Sequence, residues 1–317
     1  MSIRVSAVVC TLNRAAHLQK AIHSLVHQSL PKEMYEIIIV DNGSTDGTKA
    51  VVEEFDQFDN LRYINEPIIG LSQARNTGWQ NAQGEYVAYM DDDAIACPEW
   101  LERIVDAFDT VKPQPASVGG KVTPIWEAER PAWLPKQRED ALALVDWGAK
   151  PIFSVEQPPH LVGCNVAYRR QILQGCGGFS TSLGRKGTNL LSNDENIVRS
   201  YIRQHNLGTY YDPEICVQHC IPAERLTKRW FYRRAFWQGV SNEILQYVES
   251  GQGRSDWRYL FRTIPSVMGP ARDLAIWLLC LILPTKGGNW FEMKCTLCSM
   301  LGRVRGQSWI VLRQIKV

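Results

Sequence analysis

No G-x-G-x-x-G follows the first apolar strand of this 317-residue chain, and no G-x-x-x-x-G-K-[ST] occurs anywhere in it. Those glycine loops let backbone amides wrap a pyrophosphate, so without them a dinucleotide-binding or P-loop reading loses its main support. A sheet that handles a nucleotide must then neutralise phosphate in another way. The nine cysteines are scattered and odd in number, and Cys295-x-x-Cys298 has neither a second pair nor a nearby histidine, which argues against zinc. Helical spacing within an apolar segment explains that pair better. The opening MSIRVSAVVC reads as a strand and lacks the basic start and long apolar core of a leader. Unpaired cysteines in a reducing, cytoplasmic protein are expected. The apolar stretch at 274–283 stops at Pro284, short of the roughly 20 residues a spanning helix needs. A segment of that kind lies in a membrane interface or packs as a core helix. No internal repeat or low-complexity segment interrupts the chain.

Charge is present but unevenly spread. The net formal charge is +2, yet residues 1–223 hold 20 Lys and Arg against 27 Asp and Glu, while residues 224–317 hold 15 against 6. Six of the 11 Trp fall in the basic tail. Basic and aromatic together favour an anionic membrane surface over a nucleic-acid patch. The expected organisation is a body over 1–223 and a helical, basic, aromatic region over 224–317. In that region Arg229, Trp230, Arg233, Arg234 and Trp237 form a set suited to lipid phosphates, or to packing of an ordinary helical subdomain.

The body alternates two periods. Apolar runs at 4–10, 35–41, 61–65 and 85–90 read as strands. Patterns at 15–29, 48–58, 71–83 and 98–108 read as helices, the first with Leu18, Ile22, Leu25 and Val26 on one face. Such alternation predicts a mainly parallel sheet flanked by helices, with ligands beyond the carboxyl ends of its strands. A strand and an irregular Pro- and Trp-rich insertion follow over 112–160. Beyond it come a strand at 160–170, a Gly-rich loop, a helix from about 192 to 205, and a strand at 209–219 that ends on His219.

The strand ends are where chemistry collects. The first strand runs into TLNR (11–14), the second into DNGSTDGT (41–48) and the fourth into Asp91-Asp92-Asp93. Side chains at i and i+2 of a strand share a face, so Asp91 and Asp93 converge while Asp92 turns away. Two converging carboxylates suit a hard divalent ion, and their alternative is to cap the helix near Pro98. Asp41, at a strand terminus, can accept hydrogen bonds from a ribose or a base edge, whereas Asp46 is placed to cap the next helix.

These pieces resemble a known family. VVCTLNR, VDNGSTDGT, GLSQARNTGW, YMDDD, GCNVAYRR and SNDE occur in the order found in family 2 glycosyltransferases with the GT-A fold. The likeness spans roughly residues 3 to 220. The segment DPEICVQHCIPAERLTKRWFYRRAFWQG is similar to a bacterial surface-polysaccharide subgroup of the hormogonium-polysaccharide type. The resemblance implies an inverting transfer of sugar from a nucleotide-diphosphate donor, a UDP-sugar above all, to a glycan or lipid-linked acceptor, at the inner face of the plasma membrane and without nucleic acid. It assigns the nucleotide sugar to Thr11, Asn13, Arg14, Asp41, Arg75, Asp91 and Asp92, with Asn76 beside them. Mn²⁺ or Mg²⁺ falls to Asp93, Asp91 and His219. The catalytic base is Glu195, with Asp194 as its neighbour in the acidic pair. Asn193 stands where the family commonly has glycine, which opens the choice between those two acids. Two rivals are a non-catalytic sugar-nucleotide binder or scaffold of the same fold, and a nucleotidyltransferase. The intact acidic set weighs against the first, and the lack of a Gly-rich, Lys-bearing first loop against the second.

Overall fold

The computed structural model describes residues 2–187, 189–250 and 290–311. It divides into two compact units, one running through Phe179 and adding Glu195–Leu226, the other comprising Ser180–Asp194 and the chain from Thr227 onward.

The first unit is a nine-stranded mixed sheet with helices against it. Strands β1 (Val5–Thr11), β2 (Tyr35–Asp41), β3 (Leu61–Asn65) and β4 (Tyr86–Asp91) run parallel in the order β3-β2-β1-β4. All seven residues of β2 are buried, as the unbroken apolar run requires of a strand covered on both faces. Each buried Ile or Val of this core contributes roughly 1.5–3 kcal/mol relative to exposure. The sheet continues through β8 (Val166–Arg169), β6 (Ser117–Trp126), β9 (Thr209–Ile221) and β5 (Ala94–Ala96), with β7 (Ile152–Ser154) also on β9. Here β4 meets β8, β6 meets β8, and β9 meets β5 and β7, all antiparallel, while β6 and β9 are parallel.

Helices α1 (Ala15–Val26), α2 (Thr48–Glu53), α3 (Leu71–Asn81), α4 (Trp100–Thr110), α5 (Arg170–Cys176) and α6 (Glu195–Gln204) complete the unit. Leu18, Ile22, Leu25 and Val26 are the buried face of α1, as their spacing predicts, with Ala21 added. On α3, a β-carbon at Gly78 would strike Val8, so the glycine lets this helix lie against β1. That close approach carries Arg75, one turn earlier, toward the strand ends.

Several details differ from the sequence reading. The helix expected over 48–58 ends at Glu53, and the one expected over 192–205 begins at Glu195. The strand expected over 160–170 is confined to Val166–Arg169 and turns directly into α5. The three-residue β5 separates Asp93 from α4, whose N-cap is Glu99, so the aspartates do not cap that helix. Cys97 and Cys216 are disulfide-bonded, which corrects the expectation that all cysteines are unpaired.

In the second unit, Thr227 caps α7 (Lys228–Glu249) by accepting the Trp230 amide, and α7 packs on α8 (Trp290–Val311). The helices touch backbone to backbone. β-Carbons at Gly239 and Gly302 would collide with the carbonyls of Ser299 and Phe236. Cys295 and Cys298 share a turn of α8, in keeping with their helical spacing. An amide network joins α7 to the segment before α6. Gln238 Nε2 donates to Asn193 Oδ1 at 2.9 Å, Asn193 Nδ2 to Asn242 Oδ1 at 2.9 Å, and the Ser192 amide to Ser241 Oγ at 3.0 Å. Asn193 has φ 71°, a left-handed conformation that asparagine tolerates. This is the backbone that a glycine would adopt at the same position. Among the described residues no helix is long and apolar enough to cross a membrane. The 274–283 segment lies outside the described residues.

Candidate functional site

The parallel register sets the strand ends in rows. Thr11 lies opposite Asp41, Asp41 opposite Asn65, and Cys10 opposite Asp91. The polar residues that follow β1, β2 and β4 therefore meet at one edge of the sheet. His219 reaches the same edge from 126 residues away, because β9 pairs with β5 in the register Ala94–His219.

Asp91, Asp93 and His219 place one ligand atom each within 4.8 Å of one another. Nδ1 of His219 faces the Leu142 carbonyl at 3.0 Å. A carbonyl can only accept, so Nδ1 carries the proton and donates. The second ring nitrogen, Nε2, then turns its lone pair to Asp93 Oδ1, 3.1 Å away. Two acceptors face each other unless a proton or a cation lies between them. Histidines that bind metals commonly donate their other N–H to a carbonyl in this way. The donor set of two carboxylates and an imidazole thus fits a divalent ion of the Mn²⁺ or Mg²⁺ kind.

Arginines balance the remaining oxygens. Arg14 is ion-paired with both Asp92 and Asp93, and Arg225 Nη2 donates to Asp93 Oδ2 at 3.3 Å. Thr11 Oγ1 donates to Asp92 Oδ2 at 2.8 Å. Burial works against charge on both acids. When a proton, and not a cation, lies between it and His219 Nε2, the hydrogen bond and charge of His219, with Arg14 and Arg225, outweigh burial of Asp93 and hold its carboxyl well below the usual range. For Asp92 burial prevails over Arg14 and, helped by the charge of Asp93, raises it.

Asp41 belongs to a separate corner. Its Oδ1 accepts the Ser44 amide at 2.8 Å and its Oδ2 the Tyr63 hydroxyl at 2.7 Å. Burial and the Asp41 hydrogen bond push the Tyr63 phenol up to about 12, so it remains a donor. Asn13 braces the same loop, its amide donating to Ser44 Oγ and its Oδ1 accepting the Thr45 amide. Asp46 accepts the amides of Ala15 and Thr48, the first residues of α1 and α2. Asn76 is engaged elsewhere: its amide group holds both backbone polar groups of Phe179 at 2.8 Å.

Arg75 links the acids. Its Nη1 donates to Glu195 Oε1 at 2.9 Å and its Nη2 lies 3.6 Å from Asp91 Oδ1. The Arg75 side chain is only 4% exposed, against 22% for Glu195 and 35% for Asp91. Asp194, one residue earlier, is buried. Gly163 closes this corner from behind, since a β-carbon there would collide with Arg75 Nη2 and Glu195 Oε1.

The geometry also brings in residues that the sequence reading passed over. Arg225 sits six positions past His219 but was grouped with a basic tail, where charge reads as surface. Tyr63 lay inside a strand pattern, and Gly163 inside an apolar run. The carbonyl of Leu142 carried no sequence signal at all.

Comparison with known proteins places this geometry. Residues 6–177 match glycosyl transferase family 2. A glucosyl-dolichyl phosphate glucuronosyltransferase of Haloferax volcanii is 29% identical over 251 residues, 78% of each chain. The succinoglycan biosynthesis protein ExoM of Rhizobium meliloti is 26% identical over 81% of this chain and 79% of its own. Among solved structures, a Pyrobaculum calidifontis mannosyltransferase in complex with GDP-Man and Mn²⁺ superposes with a TM-score of 0.61 at 19% identity, covering 97% of this chain and 88% of that one. With strand ends that gather an acidic edge and a sequence that matches the family over more than half its length, the chain belongs to glycosyl transferase family 2 and is a glycosyltransferase of the GT-A fold.

Proposed function

We propose that this enzyme is an inverting, divalent-metal-dependent glycosyltransferase that moves sugar from a UDP-sugar to a hydroxyl of a glycan or lipid-linked acceptor in surface-polysaccharide synthesis. The observation that carries the reading is the pairing of a metal-competent corner, Asp91, Asp93 and His219, with a solvent-reachable carboxylate, Glu195, through Arg75.

Each residue has a task. Asp41, Thr11 and Asn13 bound the nucleoside corner. Each oxygen of Asp41 accepts one internal hydrogen bond and has capacity for another, which suits the N–H edge of a base or a ribose hydroxyl. Arg14 and Arg75 bring positive charge toward the diphosphate, with Asp92 anchoring Arg14 through its ion pair. Asp91, Asp93 and His219 would hold the ion, which when bound supplies positive charge against the departing diphosphate. Glu195 takes the proton of the acceptor hydroxyl as that oxygen attacks the anomeric carbon. A single attack with one base inverts that carbon. Burial of Asp194 favours Glu195 over its neighbour.

The acceptor and the membrane belong to the same proposal. The relatives' names support a glycan or lipid-linked acceptor, one naming a dolichyl phosphate and the other succinoglycan biosynthesis. On α8, Leu301 and Val304 are 51% and 44% exposed, with Arg305 beside them also exposed. That pattern suits a peripheral contact with an anionic leaflet.

The deciding experiment screens nucleotide sugars with and without Mn²⁺ or Mg²⁺ for release of nucleotide. Glu195→Gln is expected to slow release about 10²–10⁴-fold with the fold intact. Near-normal turnover in both Glu195→Gln and Asp194→Asn would refute the assignment.

A further inference from the structure

A tryptophan ring held on the surface near the proposed base points to a second binding site. Trp147 is 50% exposed, in the insertion between β6 and β7. Most exposed aromatics are mobile or incidental. This one is fixed at two points. Its indole Nε1 donates to the His160 carbonyl at 3.1 Å, and its backbone amide donates to the Tyr211 hydroxyl at 3.2 Å. The residue after it, Gly148, has φ 101° and nothing within 4 Å of where a β-carbon would be. The space beside Gly148 is therefore open. Asp146, the residue before, is locked by Lys121 at 2.9 Å. The protein thus holds a large apolar face against water, with its one polar atom already satisfied internally.

Its position gives the face a purpose. The segment that accepts the indole N–H at His160 reaches, three residues later, Gly163, whose backbone abuts Glu195. Three extended residues span about 10 Å. The ring accordingly lies within reach of a short oligosaccharide whose end is at Glu195. Polar groups line the way. His160 is in contact with Arg199, which also donates to Asn196 at 3.2 Å, and both of these side chains sit on the first turns of α6 after Glu195. A flat apolar ring beside side chains that exchange hydrogen bonds is the chemistry that recognises a pyranose: its C–H face stacks, its hydroxyls pair. A nucleobase is the poorer occupant. Trp147 is anchored to Tyr211 on β9, whereas the nucleoside corner lies on β1, β2 and β3, with β4, β8 and β6 between them in the sheet.

We propose that Trp147 is the stacking platform for a sugar of the acceptor, one or two rings from the hydroxyl that Glu195 deprotonates, with His160, Asn196 and Arg199 pairing its hydroxyls. The proposal rests on the reading of Glu195 as the base. It makes the acceptor a glycan of at least two residues, or a glycolipid bearing one.

The test separates acceptor from donor. Nucleotide release from UDP-glucose, UDP-GlcNAc and GDP-mannose, with Mn²⁺, is measured in water alone and with a panel of soluble disaccharides. Saturation-transfer NMR follows binding of the same disaccharides. The wild type is expected to respond to at least one disaccharide. Trp147→Ala should lose ten-fold or more of that stimulation and the NMR contact, and Trp147→Phe should recover most of both. Release in water alone should be unchanged by either substitution. An undiminished response in Trp147→Ala overturns the proposal, as does a panel that neither stimulates nor contacts the wild type. Equal slowing of water-only release would also overturn it, because the residue would then serve the donor or the fold. Normal release by Glu195→Gln would instead strike the function reading, and this inference with it.

Discussion

At Gly163 the backbone passes so close to Arg75 and Glu195 that even a methyl group has no room. The contact fixes the guanidinium between two carboxylates that do different work in the proposed reaction. Gly163→Ala is expected to cut turnover at least ten-fold, since a displacement of an ångström at a reacting group costs about 10²-fold. The melting temperature should move little, because the methyl meets side-chain ends and not the core. Steady-state kinetics beside a thermal melt would show this, and full turnover in the alanine variant would mean that the pair is free to shift. The residue scale is also where the sequence was most and least legible. Asp41, Asp91 and Asp93 announce themselves, since carboxylates at the ends of buried strands are costly without a purpose. Arg225 and Gly163 do not: one is hidden among like charges, the other has no side chain to notice. Their importance comes from what lies against them, and that is set by pairing over long distances in the chain.

At the scale of elements, uninterrupted apolar runs gave β1, β2 and β4 nearly to the residue. The same logic failed where an element is short or abuts another. Ala94–Ala96 is too brief to show a period, and α5 begins at the residue after β8 ends, so its first turn reads as more strand. The placement of His219 depends on that brief strand, which is why the proposed metal corner can be named from the sequence but not assembled from it. Two helical features invite measurement. Asn193 combines a left-handed backbone with side-chain bonds to α7, so its roles can be parted: Asn193→Gly keeps the first and loses the second, whereas Asn193→Ala loses both. The alanine variant is expected to melt below the glycine variant by the roughly 1 kcal/mol or more that left-handed backbone costs a β-carbon. Glu243, on α7, is buried against Gln307, and burial raises its pKa despite that hydrogen bond and the charge of Arg303. The native carboxyl therefore holds its proton more tightly than the unfolded one. Its contribution favours the fold at low pH and is lost as pH rises through the native pKa. Glu243→Gln should raise the melting temperature at about pH 7.5, by about 2–4 °C for each kcal/mol relieved, and the gain should vanish near pH 4. An equal gain at both would mean that charge is not the cause.

On the scale of the whole molecule, composition separates an acidic stretch over 1–223 from a basic one over 224–317, and the chain folds into two compact units with bounds of their own. What composition could not show is that the second unit also takes Ser180–Asp194 from the middle of the chain. A loop excursion of that kind leaves no compositional mark. If α8 meets a leaflet, the protein should float with vesicles rich in phosphatidylglycerol, and less so with neutral ones or at high salt, since surface charge is screened over about 8 Å at physiological ionic strength. Replacing Leu301 and Val304 together by serine should halve the floated fraction or more. Flotation that ignores both lipid charge and these residues would place the contact elsewhere.

The bond between Cys97 and Cys216 turns a long stretch of chain into a closed ring, 119 residues around, that includes the Trp147 insertion and the whole of α6. A single backbone cut anywhere inside that ring leaves one molecule and not two. The exposed insertion can be nicked while β5 and β9, and with them the corner where His219 meets Asp93, stay tied together, and only reduction lets the pieces part.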